Sequence, residues 1–236
     1  MLVIPIKTRI FKEGEEILPF IETYIKKIPE SSVIVVTSKI VALSESRTAY
    51  AANEKEKEQI IRAESKFAIQ TKYVWLTIKD GMIMPSAGVD ESNANGKIIL
   101  LPENSFKSAD LIRRTLRKKY GLKNLGVLIT DSRVMPLRAG VTAVALGYAG
   151  FRGLKDYRKS RDIFGRKFKY SRVGVADSLA TAAVLLMGEG NERQPLAIIK
   201  NAPVEFCERV NTKELLIDIE DDIYQPLLAK FSKNKK

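Results

Sequence analysis

Two continuous apolar runs rich in β-branched residues constrain the fold of this chain more than any other feature. The first is Val33–Val36 and the second is Leu125–Thr130. Runs of this kind are typical of strands that are buried on both faces of a sheet. In sheets built from such strands, ligands collect where the strands end. The residues that follow each run are therefore the first candidates for a functional site.

The remaining elements follow from hydrophobic periodicity and turn residues. The hairpin signal Asp80-Gly81 separates two short strands. The predicted strands are Val3–Ile6, Val33–Val36, Tyr73–Ile78, Met82–Met84, Lys97–Leu101, Leu125–Thr130, Val141–Leu146 and Pro195–Lys200. The predicted helices are Glu15–Lys27, Asn53–Ala68, Ser105–Tyr120, Val175–Met187 and Glu220–Phe231, with Lys155–Lys169 as a mixed-charge loop and Ser232–Lys236 as a basic tail. The sequence shows no repeat and no linker, so residues 1–236 are interpreted as a single domain that ends in a C-terminal helix and tail from residue 221.

Composition excludes several kinds of chemistry. The 236 residues include no histidine, which excludes Ser-His-Asp and Cys-His catalysis and histidine-bound zinc. Cys207 is the single cysteine, so the chain can form no internal disulfide. No apolar run reaches the roughly 20 residues of a membrane helix, and the N-terminus does not resemble a signal peptide. We therefore expect a cytoplasmic protein with no membrane partner.

The net charge of +12, from 40 Lys and Arg against 28 Asp and Glu, suggests anionic partners such as nucleotides, anionic substrates or nucleic acid. A solvated basic surface is an equally ordinary explanation. The helix Ser105–Tyr120 concentrates cations near its end, where they also suit the helix dipole. Its aromatic residues are not interleaved with that charge as stacking on single-stranded nucleic acid requires, so a nucleic-acid partner is not favoured.

Small hydroxyl and charged residues follow both apolar runs. Thr37, Ser38 and Lys39 come after the first, where they could contact phosphate or simply begin a helix. Asp131 and Ser132 come after the second. The aspartate suits a metal site, although it could also serve as a cap or turn residue. The residue types leave both pairs of alternatives open.

The loop Pro85–Gly96 is a third candidate. It is made of turn-forming and small polar residues, and it lies between two apolar segments. Within it, Asp90, Glu91, Ser92 and Asn93 form a compact set of hard oxygen donors, which Mg²⁺ or Mn²⁺ would accept. The alternative is a polar surface loop that happens to hold two acids.

Seven segments occur in one consistent order from Ile4 to Pro203. They are IPIKTRI at the N-terminus, VVTSKIVALSESR (35–47), SAGVDESN (86–93), ITDSRVMPLRAG (129–140), VALGYAGFRGLKDYR (144–158), DIFGRKFKYSR (162–172) and VADSLATAAVLLMGEG (175–190). Together they resemble the coenzyme F420-0:gamma-glutamyl ligase family, and most closely its bacterial relatives assigned to folate metabolism.

The resemblance implies a mixed α/β (α+β) fold and an intertwined homodimer with the active site near its interface. It also implies an enzyme, a GTP-dependent or ATP-dependent γ-glutamyl ligase that uses Mg²⁺ or Mn²⁺, with K⁺ as a further cation. Such a ligase activates an acceptor carboxylate as an acyl phosphate, and the amine of L-glutamate then attacks it. The implied acceptor is an anionic aromatic molecule, either folate-type or the deazaflavin-type precursor of coenzyme F420.

The same resemblance implies roles for individual residues. The implied metal ligands are Asp90, Asp131, Ser132 and Glu189. Asp90, Asp131 and Arg138 are the implied catalytic residues, and Lys39 and Arg133 are further cations suited to phosphate. The implied nucleotide contacts are Thr8, Arg9, Ile10, Ser38, Lys39, Asn93, Met187, Gly188, Gly190 and Gln194.

Two stretches depart from the pattern of the F420 branch. Ala42–Arg47 lacks the lysine expected there, and Lys39 is its candidate replacement. Ser132–Arg138 lacks an expected aromatic residue and glycine. These departures leave the acceptor and the guanine preference open and favour a folate-type acceptor. The alternatives to a ligase are a family member that binds nucleotide without catalysis and a basic nucleic-acid-binding protein.

Overall fold

The computed structural model describes the backbone of residues 1–232 and the side chains as far as residue 228. The chain folds as two compact units. Unit 1 comprises residues 1–48 and 99–214, and unit 2 comprises residues 49–98 and 215–236. The fold is mixed α/β, as expected, with six α-helices in the described part of the chain. Within residues 1–232, no helix has both the length and the apolar character needed to cross a membrane.

A five-stranded sheet forms the centre of unit 1. The strands are β1 (Leu2–Ile6), β2 (Ser32–Thr37), β8 (Leu125–Val134), β9 (Val141–Ala149) and β12 (Leu196–Lys200). Their order in the sheet is β1-β12-β2-β8-β9, and only the pair β2–β8 is parallel. Residues 33–36 of β2 are completely buried, which confirms the prediction from the first apolar run.

Four helices accompany this sheet. They are α1 (Ile17–Tyr24), α2 (Ser38–Ser44), α4 (Ser105–Tyr120) and α5 (Val175–Met187). Both α4 and α5 pack on β8 and β9. The first turn of α4 lies directly on β9, because a Cβ on Gly147 would come within 2.4 Å of the Ser105 backbone. Glycine at position 147 therefore permits this close packing of helix on strand.

A two-stranded ribbon also belongs to unit 1. It pairs β10 (Leu154–Asp156) with β11 (Arg172–Gly174), so the predicted loop over residues 155–169 begins in a strand. Two further short strands, β3 (Thr48–Ala49) and β7 (Ile98–Ile99), pair with each other. The strand predicted at 97–101 is thus reduced to two residues.

Unit 2 contains a three-stranded antiparallel sheet of β4 (Phe67–Gln70), β5 (Trp75–Lys79) and β6 (Met82–Pro85). The turn between β5 and β6 uses left-handed backbone at Asp80 and Gly81, which confirms the predicted hairpin. This unit also contains α3 (Glu54–Ala63) and the last helix, α6 (Gln225–Ser232).

Several predicted boundaries were wrong. The helix predicted over 53–68 ends at Ala63, because residues 67–70 pair with β5 instead. The helix predicted over 15–27 is shorter at both ends, and the one predicted from residue 220 begins at Gln225. Residues 105–120 and 175–187 form helices with the predicted bounds. Residues 233–236 of the predicted tail lie outside the described residues.

Candidate functional site

The end of the parallel β2–β8 pair presents the first predicted site residues. β2 pairs with β8 only as far as Thr130, while β8 continues to Val134 in a hairpin with β9. The strand predicted to end at Thr130 is therefore longer than expected, because β9 provides it with a partner. Asp131 and Ser132 consequently lie within β8, at the point where its other neighbour has ended.

Both carboxylate oxygens of Asp131 are held by other side chains. The Ser38 hydroxyl donates to Oδ1 at 3.0 Å, and Arg133 donates from Nη1 to Oδ2 at 2.7 Å. Ser38 begins α2 and is buried, while the preceding Thr37 makes no side-chain cap bond. The hydroxyl of Ser38 is thus used by Asp131, and Lys39 lies half-buried in the same helical turn. Ser38 and Asp131 are two predicted site residues that the structure brings together.

Arg133 has an unusual environment. Its residue is only 5% exposed, and its Nη1 also donates to the Ser132 carbonyl oxygen at 3.0 Å. Its Nε and Nη2 are buried and have no hydrogen-bond partner among the described residues. Buried guanidinium groups normally use their whole donor set. The described residues around Arg133 therefore leave two of its three guanidinium nitrogens without a hydrogen-bond partner.

Arg133, rather than Arg138, is the arginine that contacts Asp131. Arg138, which was predicted to be catalytic, lies exposed in the β8–β9 turn, where its backbone N–H donates to the Met135 carbonyl. The sequence did contain a signal for Arg133. Side chains two residues apart in a strand point to the same face, so the side chain of Arg133 is expected to lie beside that of Asp131.

Ser132 points the other way along β8 and meets a distant part of the chain. Its hydroxyl donates to Glu189 Oε1 at 2.6 Å. Glu189 lies in the loop that follows α5. That loop turns at Gly188, whose φ is +84°, and the carboxylate of Glu192 folds back to accept from the Gly190 N–H at 2.8 Å. Glu192 was not predicted from the sequence, yet it shapes the loop.

The predicted nucleotide-contacting segments also meet in unit 1. The Thr8 N–H donates to the Arg193 carbonyl oxygen at 2.8 Å, which joins the N-terminal segment to the loop after α5. In that loop, the Gln194 amide lies 3.4 Å from the Met187 carbonyl oxygen. Ile10, two positions after Thr8 in the sequence, is 70% exposed.

Arg9 is engaged within its own segment. It donates two hydrogen bonds to the Glu15 carboxylate, at 3.0 and 2.6 Å, and its guanidinium lies over the Phe20 ring. This pairing lowers the pKa of Glu15. The structure therefore gives Arg9 a role in ordering the segment, and its predicted nucleotide contact stays a prediction.

Asp177 on α5 is a titratable group that the sequence did not single out. Its Oδ1 accepts from the Ala145 N–H of β9 at 2.9 Å. Burial raises the pKa of this carboxyl, while the positive charge of Arg133 acts in the opposite direction. Asp177 is therefore an acidic neighbour of the Arg133 position.

Asp90 and Asn93 belong to unit 2. The Asp90 carboxylate accepts from the Ser92 N–H at 2.7 Å and from the Ser92 hydroxyl at 2.9 Å. Asn93 is exposed and has a φ of +54°. The predicted loop is therefore present, with Asp90 half-buried and held by a residue two positions away.

A buried hydroxyl group orders the start of this loop. Thr77 on β5 donates to the Met84 carbonyl oxygen at 2.7 Å and accepts from the Ala87 N–H at 2.8 Å. Ser86 and Ala87 both have positive φ, near +50°. Such strained backbone persists only where the surroundings hold it, and Thr77 provides that support.

The residues of unit 1 fit part of a divalent-cation site. Asp131 supplies a carboxylate on one side of β8, and Ser132 and Glu189 supply a hydroxyl and a carboxylate on the other side. All three are hard oxygen donors of the kind that Mg²⁺ and Mn²⁺ prefer. Within residues 1–232, no three acidic or cysteine side chains are close enough to form a metal cluster by themselves. A cation held here would therefore need ligands besides these side chains, such as substrate phosphates.

Comparisons with known proteins agree with this architecture. The profile of the F420-0:Gamma-glutamyl ligase family matches residues 5–201. A coenzyme F420:L-glutamate ligase of Methanococcus maripaludis (strain C7) is 36% identical over 215 residues, which is 90% of this chain and 86% of the relative.

Ligases of the same name from two other organisms are also similar. The one from Methanopyrus kandleri is 41% identical over 63% of this chain and 60% of its own length. The one from Archaeoglobus fulgidus is 26% identical over 94% of both. The chain is thus a ligase enzyme, and it belongs to the F420-0:gamma-glutamyl ligase family.

Proposed function

We propose that this enzyme joins L-glutamate to the carboxylate of an anionic aromatic acceptor, in a reaction that consumes GTP and requires a divalent cation. One observation carries the proposal. The contacts Ser38–Asp131 and Ser132–Glu189 bring two carboxylates and two hydroxyls from three distant segments of the sequence to the end of the β2–β8 pair. Acids and hydroxyls gathered at such a strand end suit metal-assisted phosphoryl transfer.

The proposed reaction has two steps. An oxygen of the acceptor carboxylate attacks the γ-phosphorus of the nucleotide, which gives an acyl phosphate and releases the nucleoside diphosphate. The glutamate amine then attacks the acyl carbon, so that a C–N bond forms, the C–O bond to phosphate breaks, and a proton and inorganic phosphate leave. Each step moves negative charge, so fixed cations and oriented donors are what the protein must supply.

The residues of unit 1 fit these requirements. Asp131 on one side of β8, and Ser132 with Glu189 on the other, are the side chains that would hold divalent cations. Such cations would neutralise charge on the transferred phosphoryl group. Arg133 holds Asp131 in a fixed orientation through Oδ2. Asp90 remains a proposed metal ligand from the family resemblance alone.

For the nucleotide, we propose contacts from the N-terminal segment and from the loop after α5. The backbone bond between Thr8 and Arg193 supports this assignment, because it brings two segments with predicted nucleotide contacts side by side. Ser38, Lys39 and Asn93 complete the proposed set. GTP is the proposed nucleotide, ATP is the alternative, and the homodimer stays a prediction.

For the acceptor, the names of the relatives point to a precursor of coenzyme F420. The departures at residues 42–47 and 132–138 favour a folate-type acceptor instead. The relatives support the F420-type acceptor more strongly, because three ligases with the same printed name match 90%, 63% and 94% of this chain. A deazaflavin-type carboxylate is thus the proposed acceptor.

The test is an incubation of the purified protein with L-glutamate, GTP or ATP, Mg²⁺ or Mn²⁺, and either acceptor. Products are read by mass spectrometry. A glutamyl adduct on the deazaflavin acceptor, with stoichiometric release of nucleoside diphosphate, is expected. An adduct only on a pteroate-type acceptor would move the enzyme to folate metabolism. Nucleotide binding with no adduct on either acceptor would contradict the proposed acceptors and favour the non-catalytic alternative.

A further inference from the structure

A basic groove of about 1220 Å³ lies along one face of α4 in unit 1. The segment at residues 208–212 forms part of its wall. Six cationic side chains and two carboxylates line the groove, which gives it a net charge of +4. The cations are Lys107, Arg113, Arg114, Arg117, Lys118 and Arg209.

Two acidic side chains of the chain itself pair with cations of this groove. One oxygen of Glu208 lies 2.7 Å from Arg117 Nη1 and 3.3 Å from Arg113 Nη2, although the glutamate side chain is 67% exposed. Asp110 pairs with Arg114 in the same way. The planar forks of arginine suit carboxylates, and here they are arranged along a helix face.

One of these arginines is built into the fold. Arg113 is 3% exposed, and its Nε donates to the Leu125 carbonyl oxygen at 2.9 Å. By contrast, Lys107, Lys118 and Arg209 are exposed, and within the described residues they form no ion pair. The groove therefore combines a fixed guanidinium at its base with three cations available to an incoming anion.

We propose that this groove binds an oligo-γ-glutamyl chain, as a carboxylate-rich tail of the substrate or product. The inference rests on the proposed function. Each addition of glutamate consumes one carboxylate and brings two, so every round would leave the acceptor with one more negative charge and a longer tail. A groove with excess positive charge is suited to such a ligand.

The dimensions of the groove agree with an extended tail. Cations four residues apart on α4, such as Arg113 and Arg117, are separated by about 6 Å along the helix axis. A γ-linked glutamyl residue places five backbone bonds between equivalent atoms, which is also about 6 Å when extended. Successive carboxylates alternate between the two sides of such an extended chain, so one set would face the cations of α4 and the other set the rest of the lining, which includes Arg209.

The lining of the groove is less suited to single-stranded nucleic acid. Among the described residues, Phe106 is the one aromatic residue that lines it. That ring is half-buried and packs against Tyr148, with 5.1 Å between ring centroids. Binding of single-stranded nucleic acid normally relies on exposed aromatic rings for base stacking.

The test measures binding of fluorescein-labelled tetra-γ-glutamate to the full-length protein by fluorescence anisotropy, without nucleotide or added metal. We expect saturable binding that weakens as salt rises. The double variant Lys118→Gln/Arg209→Gln should weaken binding at least about fivefold, because two exposed charges are lost. Its control is Lys26→Gln/Lys27→Gln, which removes two exposed lysines that do not line the groove and should leave binding unchanged.

The variant Glu208→Gln tests the proposal in the opposite direction. It removes the internal carboxylate from Arg113 and Arg117, so tetra-γ-glutamate should bind more tightly. No binding of the peptide, or equal weakening by the control variant, would overturn the proposal. Tighter binding of a mixed-sequence 12-mer RNA that displaces the peptide would overturn it in favour of nucleic acid.

Failure of this proposal can be distinguished from failure of the proposed function. An active ligase that does not bind the peptide would refute the groove alone. Binding of the peptide by a protein that forms no adduct would support the groove as a polycarboxylate site and would refute the proposed ligation.

Discussion

Asp131 and Asp90 have the same predicted role, but the chain holds them in contrasting ways. Asp131 lies within a strand and is held by Ser38, which is 93 positions away in the sequence, and by the buried Arg133. Asp90 lies in a loop and is held by Ser92, two positions away. The first arrangement exists only in the folded sheet, whereas the second is encoded in a short stretch of sequence.

The difference shows how far each kind of site can be inferred from sequence. A local loop such as the one at Asp90 has recognisable turn residues, but local structure alone does not require it to be functional. A cluster assembled from distant segments is harder to predict. Once observed, such a cluster is stronger evidence for a functional site, because its residues meet only when the whole sheet has formed. Four predictions test this comparison.

The largest expected effect is that of Asp131→Asn. We expect the rate of adduct formation to fall at least about 100-fold, because the variant removes a charge at the point of proposed phosphoryl transfer. The thermal melting curve and circular dichroism should show a folded protein. Asp156→Asn is the matched control, since Asp156 is an exposed acid paired with Arg158 on the β10–β11 ribbon.

Asp90→Asn, assayed in parallel, sharpens the comparison. An equal loss would give the locally held aspartate the same importance as the one held by distant residues. Full activity of Asp90→Asn would show that this carboxylate is not needed for catalysis and that its loop is an ordinary polar surface loop. Full activity in Asp131→Asn would remove Asp131 from the proposed metal site.

The second prediction concerns the two arginines after Asp131. Arg133→Met should lower turnover about tenfold by releasing Asp131. It should lower the free energy of unfolding by about 1–3 kcal/mol, because Asp131 and Asp177 lose the positive charge beside them. Removal of two unsatisfied donors offsets part of that cost. Adduct formation and denaturant unfolding measure the two effects.

Arg138→Met provides the comparison for this pair. The exposed position of Arg138 predicts a smaller loss of turnover than in Arg133→Met. A larger loss in Arg138→Met would show that the role inferred from the sequence motif was correct and that the role inferred from the contact was not.

The third prediction compares the two serines that hold the aspartates. Ser38→Ala removes a buried hydroxyl that bonds a distant carboxylate, and it should lower the free energy of unfolding by about 1 kcal/mol. Ser92→Ala removes an exposed local bond and should change it by less than about 0.5 kcal/mol. Urea unfolding of both variants checks the difference. Equal losses would contradict the distinction between long-range and local support.

The smallest expected effect is a pH dependence at Asp177. Burial raises the pKa of this carboxyl in the folded state, so the folded protein binds more protons than the unfolded chain above the unfolded value of about 3.9. Its contribution to stability therefore falls as pH rises from the unfolded pKa to the folded pKa, and it stays low at neutral pH.

The variant Asp177→Asn should remove this loss of stability with rising pH, because its amide does not ionise. The amide oxygen can still accept the hydrogen bond from the Ala145 N–H. Between pH 4 and pH 7, the melting temperature of the variant should increase relative to that of the wild type as pH rises. A constant difference across that range would contradict the assignment.

Much of the fold could be predicted because its signals are local. The β-branched residues 33–36, the Asp80-Gly81 turn and the periodic segments 105–120 and 175–187 each produced the expected element. Errors arose where pairing with a distant strand determined the outcome. Residues 67–70 became a strand because β5 was available, and β8 continued to residue 134 because β9 was available.

The candidate site shows the same division. The sequence alone identified Asp131, Ser132 and Glu189 as candidate oxygen donors, because residue types and motifs can be read without a structure. Only the tertiary structure decided that Ser38 and Arg133 hold Asp131, and that Ser132 meets Glu189. Such contacts depend on which strands pair and in what register, and that is determined by the packing of the whole sheet rather than by neighbouring residues.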